Sequence, residues 1–417
     1  MKVLIKKALI HDIDGSIAHR DTDILIENGQ ITAVGNNLNH DADHTLAEDG
    51  LHVSSGWFDP FVNFCEPGNE HKEDLHSGCA AAIAGGFTAV GVLPDTQPLL
   101  DSRPQIDFIE RSTEGLGIQV LVGPSFVKEG NHGELSEILE LSEAGAFAFN
   151  QPEAVSLTDA VVLKALDYSK VTSKKVCLDV TNHSIIPGAF IHEGLVNVKI
   201  GLRGIPSFSE VLLVKKYIEL LRYTGASLHL SGVSTADSLE LISAAKADGL
   251  DLTCDCSVYH LLHTDEDLLS FNTNFKLRTP LRSELDRNAL VAAVMSGTID
   301  VVTAYHQPHE EDAKKTEITL ADSGVIGLQT LYPLLIQAVG LEKAIGILVS
   351  RNRTAFNRDV PVIKEGNAVN LTVFNPESAW VLNAESNKSK SNNSMLWNEQ
   401  VMGSVLATVL GSKFNRA

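Results

Sequence analysis

Between about residues 56 and 350, short apolar runs alternate with helical stretches, and that alternation restricts the chain to a parallel α/β architecture. The strand candidates are WFDPFV (57–62), TAVGVLP (88–94), IQVLVG (118–123), AFAF (146–149), KVCLDV (175–180), SLHLS (227–231), LDLTCD (250–255) and IDVVTA (299–304). Helical stretches such as EDLHSGCAAAIAG, PQIDFIERS, SEVLLVKKYIELLRY, TADSLELISAAKA and RNALVAAVMSG lie between them. Gly85-Gly86 and Asp248-Gly249 close two of these ahead of the next strand. Eight strand–helix units fit a (β/α)8 barrel of the TIM type, whose sites lie at the C-terminal ends of the strands. A doubly wound open sheet is the competitor, but no Gly-x-Gly-x-x-Gly follows the first strand.

The two chain ends read differently. KVLIKKALI and DILIENGQITAVG carry apolar alternation, and Asn28-Gly29 between the last two runs favours a tight hairpin. Strand patterning returns beyond residue 355 in NAVNLTVFN and GSVLATVLGSKF, separated by the polar, low-complexity loop ESNKSKSNNSM. The expected assembly is a barrel of residues 56–354 beside one small β-sandwich made from residues 1–55 and 355–417.

A net charge of −20 repels nucleic-acid phosphates and anionic membranes, so neither is expected as a partner. The start, MKVLIKKALIHDIDG, has no apolar stretch of signal length, and no later run is long enough to cross a bilayer. The expected location is the cytoplasm. Cys65, Cys79, Cys177, Cys254 and Cys256 are an odd set and read as reduced thiols. Cys254 and Cys256 fall on one side of a strand with no second pair to complete a metal site, and read as small core residues.

GWFDPFVNFCEPG (56–68) has the frame of a barrel strand running into an active-site loop. With its continuation NEHKEDLHSGCAAAIAGGFTAVGVLPDTQP, it resembles the long-chain, bacterial-type dihydroorotases, a cyclic-amidohydrolase branch of the metal-dependent hydrolases. GLRGIPSFSE, HLSGVSTADS, YHLLHTDEDL, TPLRSELDRNAL, GTIDVVTAYHQPH, GVIGLQT and the SKS-containing loop match in the family's order. The resemblance implies a barrel with one or two zinc ions, which polarise a ring amide carbonyl and make hydroxide from water. It implies the interconversion of dihydroorotate and carbamoyl aspartate.

Carried over residue by residue, the family's ligand positions have emptied. Asp59 keeps its place, but the two strand-one histidines fall on Phe61 and Asn63. The bridging carboxylate falls on Gln151 or Pro152 in FNQPE, the next histidine on Asp179, and the histidine of His-Val-Ser-Thr on Gly232. The catalytic aspartate falls on Tyr305. A phenyl ring has no lone pair, a carboxamide is a poor zinc ligand, and a phenol is protonated at pH 7. Of these six positions, Asp179 alone keeps a strong ligand.

The residues that hold the substrate carboxylate have drifted too. The family's arginine falls on Cys65, its asparagine on Asp95, and its histidine is retained as His309. Arg278 replaces a second asparagine and is expected either to pair with Asp95 or to fill the vacated pocket. Losing the arginine clamp removes charge-assisted bonds worth about 1.5–3 kcal/mol each.

The expectation is a chain without catalytic residues and without zinc. Phe61 and Tyr305 fill the hole the ions left, since an empty polar cavity is costly. Asp59 serves as a hydrogen-bonding strut, His71 and Glu73 belong to a polar loop, and His229, His260, His306 and His309 make ordinary hydrogen bonds. By family resemblance such a chain is a homodimer and an inactive assembly partner of aspartate carbamoyltransferase. Two alternatives stand beside it. One is an active cyclic-amide hydrolase with an altered metal site or substrate; the other is a small-ligand sensor built on the pocket of Asp95, Arg278 and His309.

Overall fold

The computed structural model describes residues 1–153, 155–182 and 184–417. Its centre is a ring of parallel strands: Trp57–Val62, Phe87–Val92, Gln119–Val122, Phe149–Asn150, Val176–Asp179, Leu228–Ser231, Leu252–Ser257 and Val301–Thr303. The first three form one ladder and the last five another. Parallel bridges between Ser125 and Asn150, and between Val62 and His306, join the two and close the barrel. Closure removes the open-sheet competitor.

The expected helices form at Leu75–Ala84, Arg103–Thr113, Phe208–Thr224, Ala236–Ala247 and Glu284–Ser296. Local chemistry fixes their ends. Asp74 accepts from the Ser77 amide at 2.7 Å while the Ser77 hydroxyl accepts from the Asp74 amide, a reciprocal cap. Gly86 (φ 90°) and Gly249 (φ 82°) take the left-handed conformation that turns each chain into the next strand. The fourth strand is shorter and later than AFAF suggests. The Phe147 amide donates to the Val122 carbonyl at 3.0 Å, and the ladder with the fifth strand begins only at Phe149.

Residues from both chain ends share one eight-stranded sheet, in the order 413–416, 400–410, 370–381, 52–55, 2–11, 17–27 and 30–35, with 44–46 also paired to 2–11. Asn28 (φ 51°) and Gly29 (φ 82°) make the expected hairpin, closed by the Glu27–Gln30 pair. Val3, Ile5, Ile24, Ile26, Val53, Leu371, Val373 and Val409 form a core separate from that of the barrel. Cys254 and Cys256 are fully buried in the barrel core, as their alternation implies. Among the described residues, no helix is long and apolar enough to cross a membrane.

Within the sheet, the strands 2–11 and 52–55 are joined by a buried histidine pair. His11 Nε2 lies 2.8 Å from His52 Nδ1, and His11 Nδ1 lies 2.9 Å from the Gly15 carbonyl. Since a carbonyl only accepts, His11 carries a proton on Nδ1, and because one proton lies between His11 Nε2 and His52 Nδ1 the two rings are not both charged. Burial, with His11 close by, pushes His52 down to about 4, and burial lowers His11 as well.

In this arrangement the unfolded chain binds more protons than the folded one below the ordinary histidine value near 6.5. Folding stability is therefore complete above pH 6.5 and falls as pH drops toward 4, by about 3 kcal/mol at most from His52. Urea midpoints taken from pH 7 to pH 4 should show this slope, and His52→Phe should flatten it.

Candidate functional site

At the C-terminal end of the first barrel strand, Asp59 is wholly buried and faces its own scaffold. It accepts from the Phe61 amide at 3.1 Å, the Thr303 hydroxyl at 2.5 Å and the Ala304 amide at 3.0 Å. These bonds tie the first strand to the eighth, the strut expected of it. Burial still pushes its pKa up to about 6.

Phe61 lies beneath the mouth, stacked on Tyr305 with ring centroids 5.9 Å apart and planes 7° from parallel. His229 and Phe356 pack against the same ring at 5.3 and 5.6 Å. Asn63 supports backbone on two sides: its carboxamide oxygen accepts from the Cys65 amide at 2.8 Å, where Cys65 has φ 62°, and its Nδ2 lies 3.5 Å from the Asp95 carbonyl. Both positions that carry histidine in the resembling family are thus committed to packing and backbone support.

The organising carboxylate of the mouth is Asp255, which the sequence reading passed over for its flanking cysteines. It is fully buried and accepts three bonds: from His229 Nε2 at 2.9 Å, the Gly232 amide at 3.0 Å and the Tyr305 hydroxyl at 2.7 Å. His229 Nδ1 in turn contacts the Thr253 hydroxyl at 2.9 Å. Tyr305 holds a left-handed backbone (φ 45°), supported by its amide bond to the Thr303 hydroxyl at 3.1 Å. Burial and then Asp255 push the phenol well above its ordinary value, so it stays protonated and donates. Gly232 has φ 80°, and a Cβ there would lie 2.7 Å from the Thr279 hydroxyl.

Asp179 and Arg278 form an ion pair, and Arg278 Nε lies 4.0 Å from Glu153. Arg278 therefore pairs with Asp179, not with Asp95 as one sequence expectation had it. The Asp95 carboxylate instead accepts from the Glu153 amide at 2.5 Å. The Asp179 carboxylate is the one within ion-pair distance of the guanidinium, while Asp95 acts on Arg278 only through its charge. Burial and then Glu153 push Asp95 up to about 7, although Arg278 works in the opposite sense. Burial opposes the charge on Arg278, but Asp179, Glu153 and Asp95 outweigh it and raise its pKa.

Gln151 does not enter the mouth as a ligand. Its carboxamide accepts from the Asp179 amide at 3.3 Å and donates to the Val155 carbonyl at 2.9 Å. The acid of the FNQPE stretch is Glu153, which accepts from Gln307 at 2.7 Å. Counting two residues along the extended stretch from Gln151 would have found it.

The expected substrate pocket is divided in two. An inner chamber of about 50 Å³, room for a few waters, is lined among others by Asp95, Glu153, Asp179, His260, Arg278 and Tyr305. An outer vestibule of about 360 Å³ holds Cys65, Lys72 and His309. Asn63, Asp95, Glu153 and Gln307 line both and form the neck between them. In the vestibule His309 Nε2 donates to the Ser323 carbonyl at 2.9 Å, and burial with Lys72 nearby pushes His309 down to about 4. Burial pushes the Cys65 thiol up to about 12, so it is not a thiolate.

Glu73 and His306 belong to a latch. Glu73 is fully buried, accepts from the Ser389 hydroxyl and from the Lys390 amide at 3.1 Å, and meets His306 Nε2 at 3.4 Å. The polar loop of the C-terminal segment is thereby fastened over the barrel. His71, by contrast, is exposed and lies 3.8 Å from Glu310.

A zinc ion requires three or four converging lone pairs. Asp179 is engaged by Arg278, Asp255 by three donors, and the remaining positions present phenyl, phenol, carboxamide or no side chain. Among the described residues, no three His, Cys, Asp or Glu side chains come together to hold an ion. The donor set does not fit the metal that the resemblance implies.

A family model described as dihydro-orotase-like matches residues 53–238. The chain is 32% identical over 420 residues to a dihydroorotase of Bacillus subtilis (strain 168), covering 99% of this chain and 98% of that one. It is 33% identical over 417 residues to a dihydroorotase of Carboxydothermus hydrogenoformans, covering 98% and 96%. Among solved structures, an L-hydantoinase (dihydropyrimidinase) from Arthrobacter aurescens superposes with a TM-score of 0.84 at 19% identity over 99% of this chain and 95% of that one. That likeness concerns the fold.

Two substitutions test the charge balance of the mouth. Arg278→Met should cost on the order of 3 kcal/mol at pH 7.5, because it strands buried carboxylates. A carboxyl whose folded pKa is raised, as at Asp95, favours folding at low pH and loses that contribution as pH rises through its folded value. The deficit should therefore shrink at pH 5 in urea titrations. Tyr305→Phe, which removes one of the three donors to Asp255, should cost about 1–3 kcal/mol in the same titrations at pH 7.5.

Proposed function

This chain belongs to the dihydroorotase family, and from the state of its barrel mouth we propose that it is a non-catalytic homologue retained in pyrimidine biosynthesis. The observation that carries the reading is the Asp255 hub, with Tyr305 bonded to it and stacked on Phe61. Ring opening of a cyclic amide needs a water made nucleophilic and a group to take its proton. At the base position a phenol that stays protonated spends its hydrogen on a buried carboxylate, and a neutral phenol oxygen is too weak a base to take a proton from water near pH 7. At the sole surviving ligand position a guanidinium has taken the place a cation would need.

With no chemistry to select for, the scaffold is kept for binding. We assign it the role of a cytoplasmic assembly partner of aspartate carbamoyltransferase, itself a homodimer, on the strength of family resemblance. Buried Arg282 bonds Ser234 at 3.0 Å and the Ile205 carbonyl at 2.9 Å, and Glu210 accepts from the Ser234 and Thr235 amides at 3.1 and 3.0 Å. These bonds hold the outer loops of the barrel in place without touching the mouth's lost ligands.

Metal analysis of the purified protein should find well under one zinc, manganese or iron per chain, and incubation with dihydroorotate should yield no carbamoyl aspartate. One tightly held ion together with turnover would establish the enzyme instead. Native mass measurement of this chain mixed with aspartate carbamoyltransferase should show a species larger than either alone, and its absence would remove the partner role.

A further inference from the structure

Beyond the eighth barrel strand the chain makes an excursion from His309, through one helical turn at Glu311–Lys314, to Gly324. Its two ends line the vestibule through His309, Asp322 and Ser323. Two lysines fasten this segment, one from outside it and one from within. Lys276 Nζ donates to the Ile318 and Thr319 carbonyls at 2.9 and 3.2 Å. Lys314 Nζ donates to the Asp322 and Gly324 carbonyls at 2.7 and 3.0 Å. The Gly324 amide donates to the Lys276 carbonyl at 2.9 Å, and the Thr273 hydroxyl to the Lys314 carbonyl at 2.7 Å, so the two fastenings share one piece of backbone.

Both lysines are buried, Lys276 at 7% exposed and Lys314 at 6%. Among the described residues neither has a carboxylate within ion-pair distance; the Asp322 carboxylate lies 3.8 Å from Lys72 Nζ and 3.4 Å from His309 Nδ1 instead. The two nitrogens are not equivalent. Lys276 Nζ stands 4.3 Å from the centre of the Phe190 ring, which favours its charged form. Lys314 Nζ has its two carbonyls and, among the described residues, nothing more. A neutral amine has two N–H groups and fits that pair of acceptors, whereas an ammonium carries a third that burial leaves bare. Burial and then Lys276 push Lys314 down to about 7, although Asp322 works in the opposite sense.

We propose that residues 309–324 form a strap over the vestibule whose hold depends on pH: it is tightest when Lys314 is a neutral amine and loosens when Lys314 becomes a second buried cation beside Lys276. The device is independent of whether the mouth does chemistry, and it sets how readily the vestibule is reached. In the open strap Lys314 meets water and returns to its ordinary value of 10.5. Opening above about pH 7 therefore takes up a proton, and it becomes harder as pH rises from there. The other charged groups nearby are Lys72, Glu310 and His309, and His309, pushed down to about 4, is neutral throughout that range. Burial lowers Lys276 as well, while the strap's own Glu311, Asp312, Lys315 and Glu317 are exposed.

Hydrogen–deuterium exchange of the full-length protein between pH 6.5 and 8.5, corrected for the intrinsic pH dependence of amide exchange, tests this. Protection of peptides within 309–324 should rise on the order of twentyfold across the range, the limit for one linked proton, while the barrel strands stay level. Lys314→Met keeps the stem without a titrating nitrogen and should give a flat profile. Lys276→Met removes the neighbouring charge, so the rise should begin at higher pH. Protection of the wild-type strap that is flat or falls with pH, or a rise shared by the whole barrel, would overturn the proposal. So would a slope that survives Lys314→Met. If Lys314→Met opens the strap outright, Lys276→Met decides, and an unmoved onset there counts against the device.

Discussion

A carboxylate taken out of water must find donors or a counter-ion, because the penalty for leaving it bare is several kcal/mol. In this barrel three such groups, Asp59, Asp179 and Asp255, face the interior near one another. The chain satisfies each with its own side chains and amides. Asp59 is held by Thr303 and two backbone N–H groups, Asp255 by His229, Tyr305 and the Gly232 amide, and Asp179 by Arg278. A metal would normally supply that compensation as two positive charges. Here hydrogen-bond donors and one guanidinium do so, and the aromatic stack of Phe61 and Tyr305 occupies the volume.

Much of this was legible in the sequence because strand–helix alternation and turn glycines are local signals. The hairpin at Asn28-Gly29, the helix ends at Gly86 and Gly249, and the inward thiols of Cys254 and Cys256 follow from period and backbone preference. What could not be read was which donor each remaining carboxylate would find. Asp255 sits between two cysteines in an apolar strand, and its partners come from 23 to 50 residues away. Arg278 was equally free on paper to meet Asp95 or Asp179, 99 residues distant from the latter. Nothing local decides between them. The folded arrangement of the barrel-mouth loops does.

The separation into chamber and vestibule was hidden for the same reason. Cys65, Asp95, Arg278 and His309 belong together by descent, but the neck between the two spaces is made by Asn63, Glu153 and Gln307 along with Asp95. Glu153 and Gln307 have polar side chains that bond each other across the mouth, from the loops after the fourth and eighth strands. A contact of that kind, between segments 154 residues apart, leaves no trace in composition or spacing.

The replacements in the mouth depend on one another, which bears on how such a site is held in its present form. A histidine at position 232 would need a Cβ where the Thr279 hydroxyl stands, on a backbone at φ 80° that disfavours any side chain. An aspartate at position 305, shorter by a ring, would take the phenol's donor from Asp255 and add a second carboxylate to the same buried region. An imidazole at position 61 would replace the phenyl that packs between Tyr305, Phe356 and His229 and bring further polar nitrogens into that buried wall. Each single step back toward a metal ligand therefore destabilises what the other substitutions have built. Only a concerted change, with Arg278 withdrawn from Asp179 at the same time, would reopen the mouth to an ion. The packing and the electrostatics of the filled barrel thus hold each other in place.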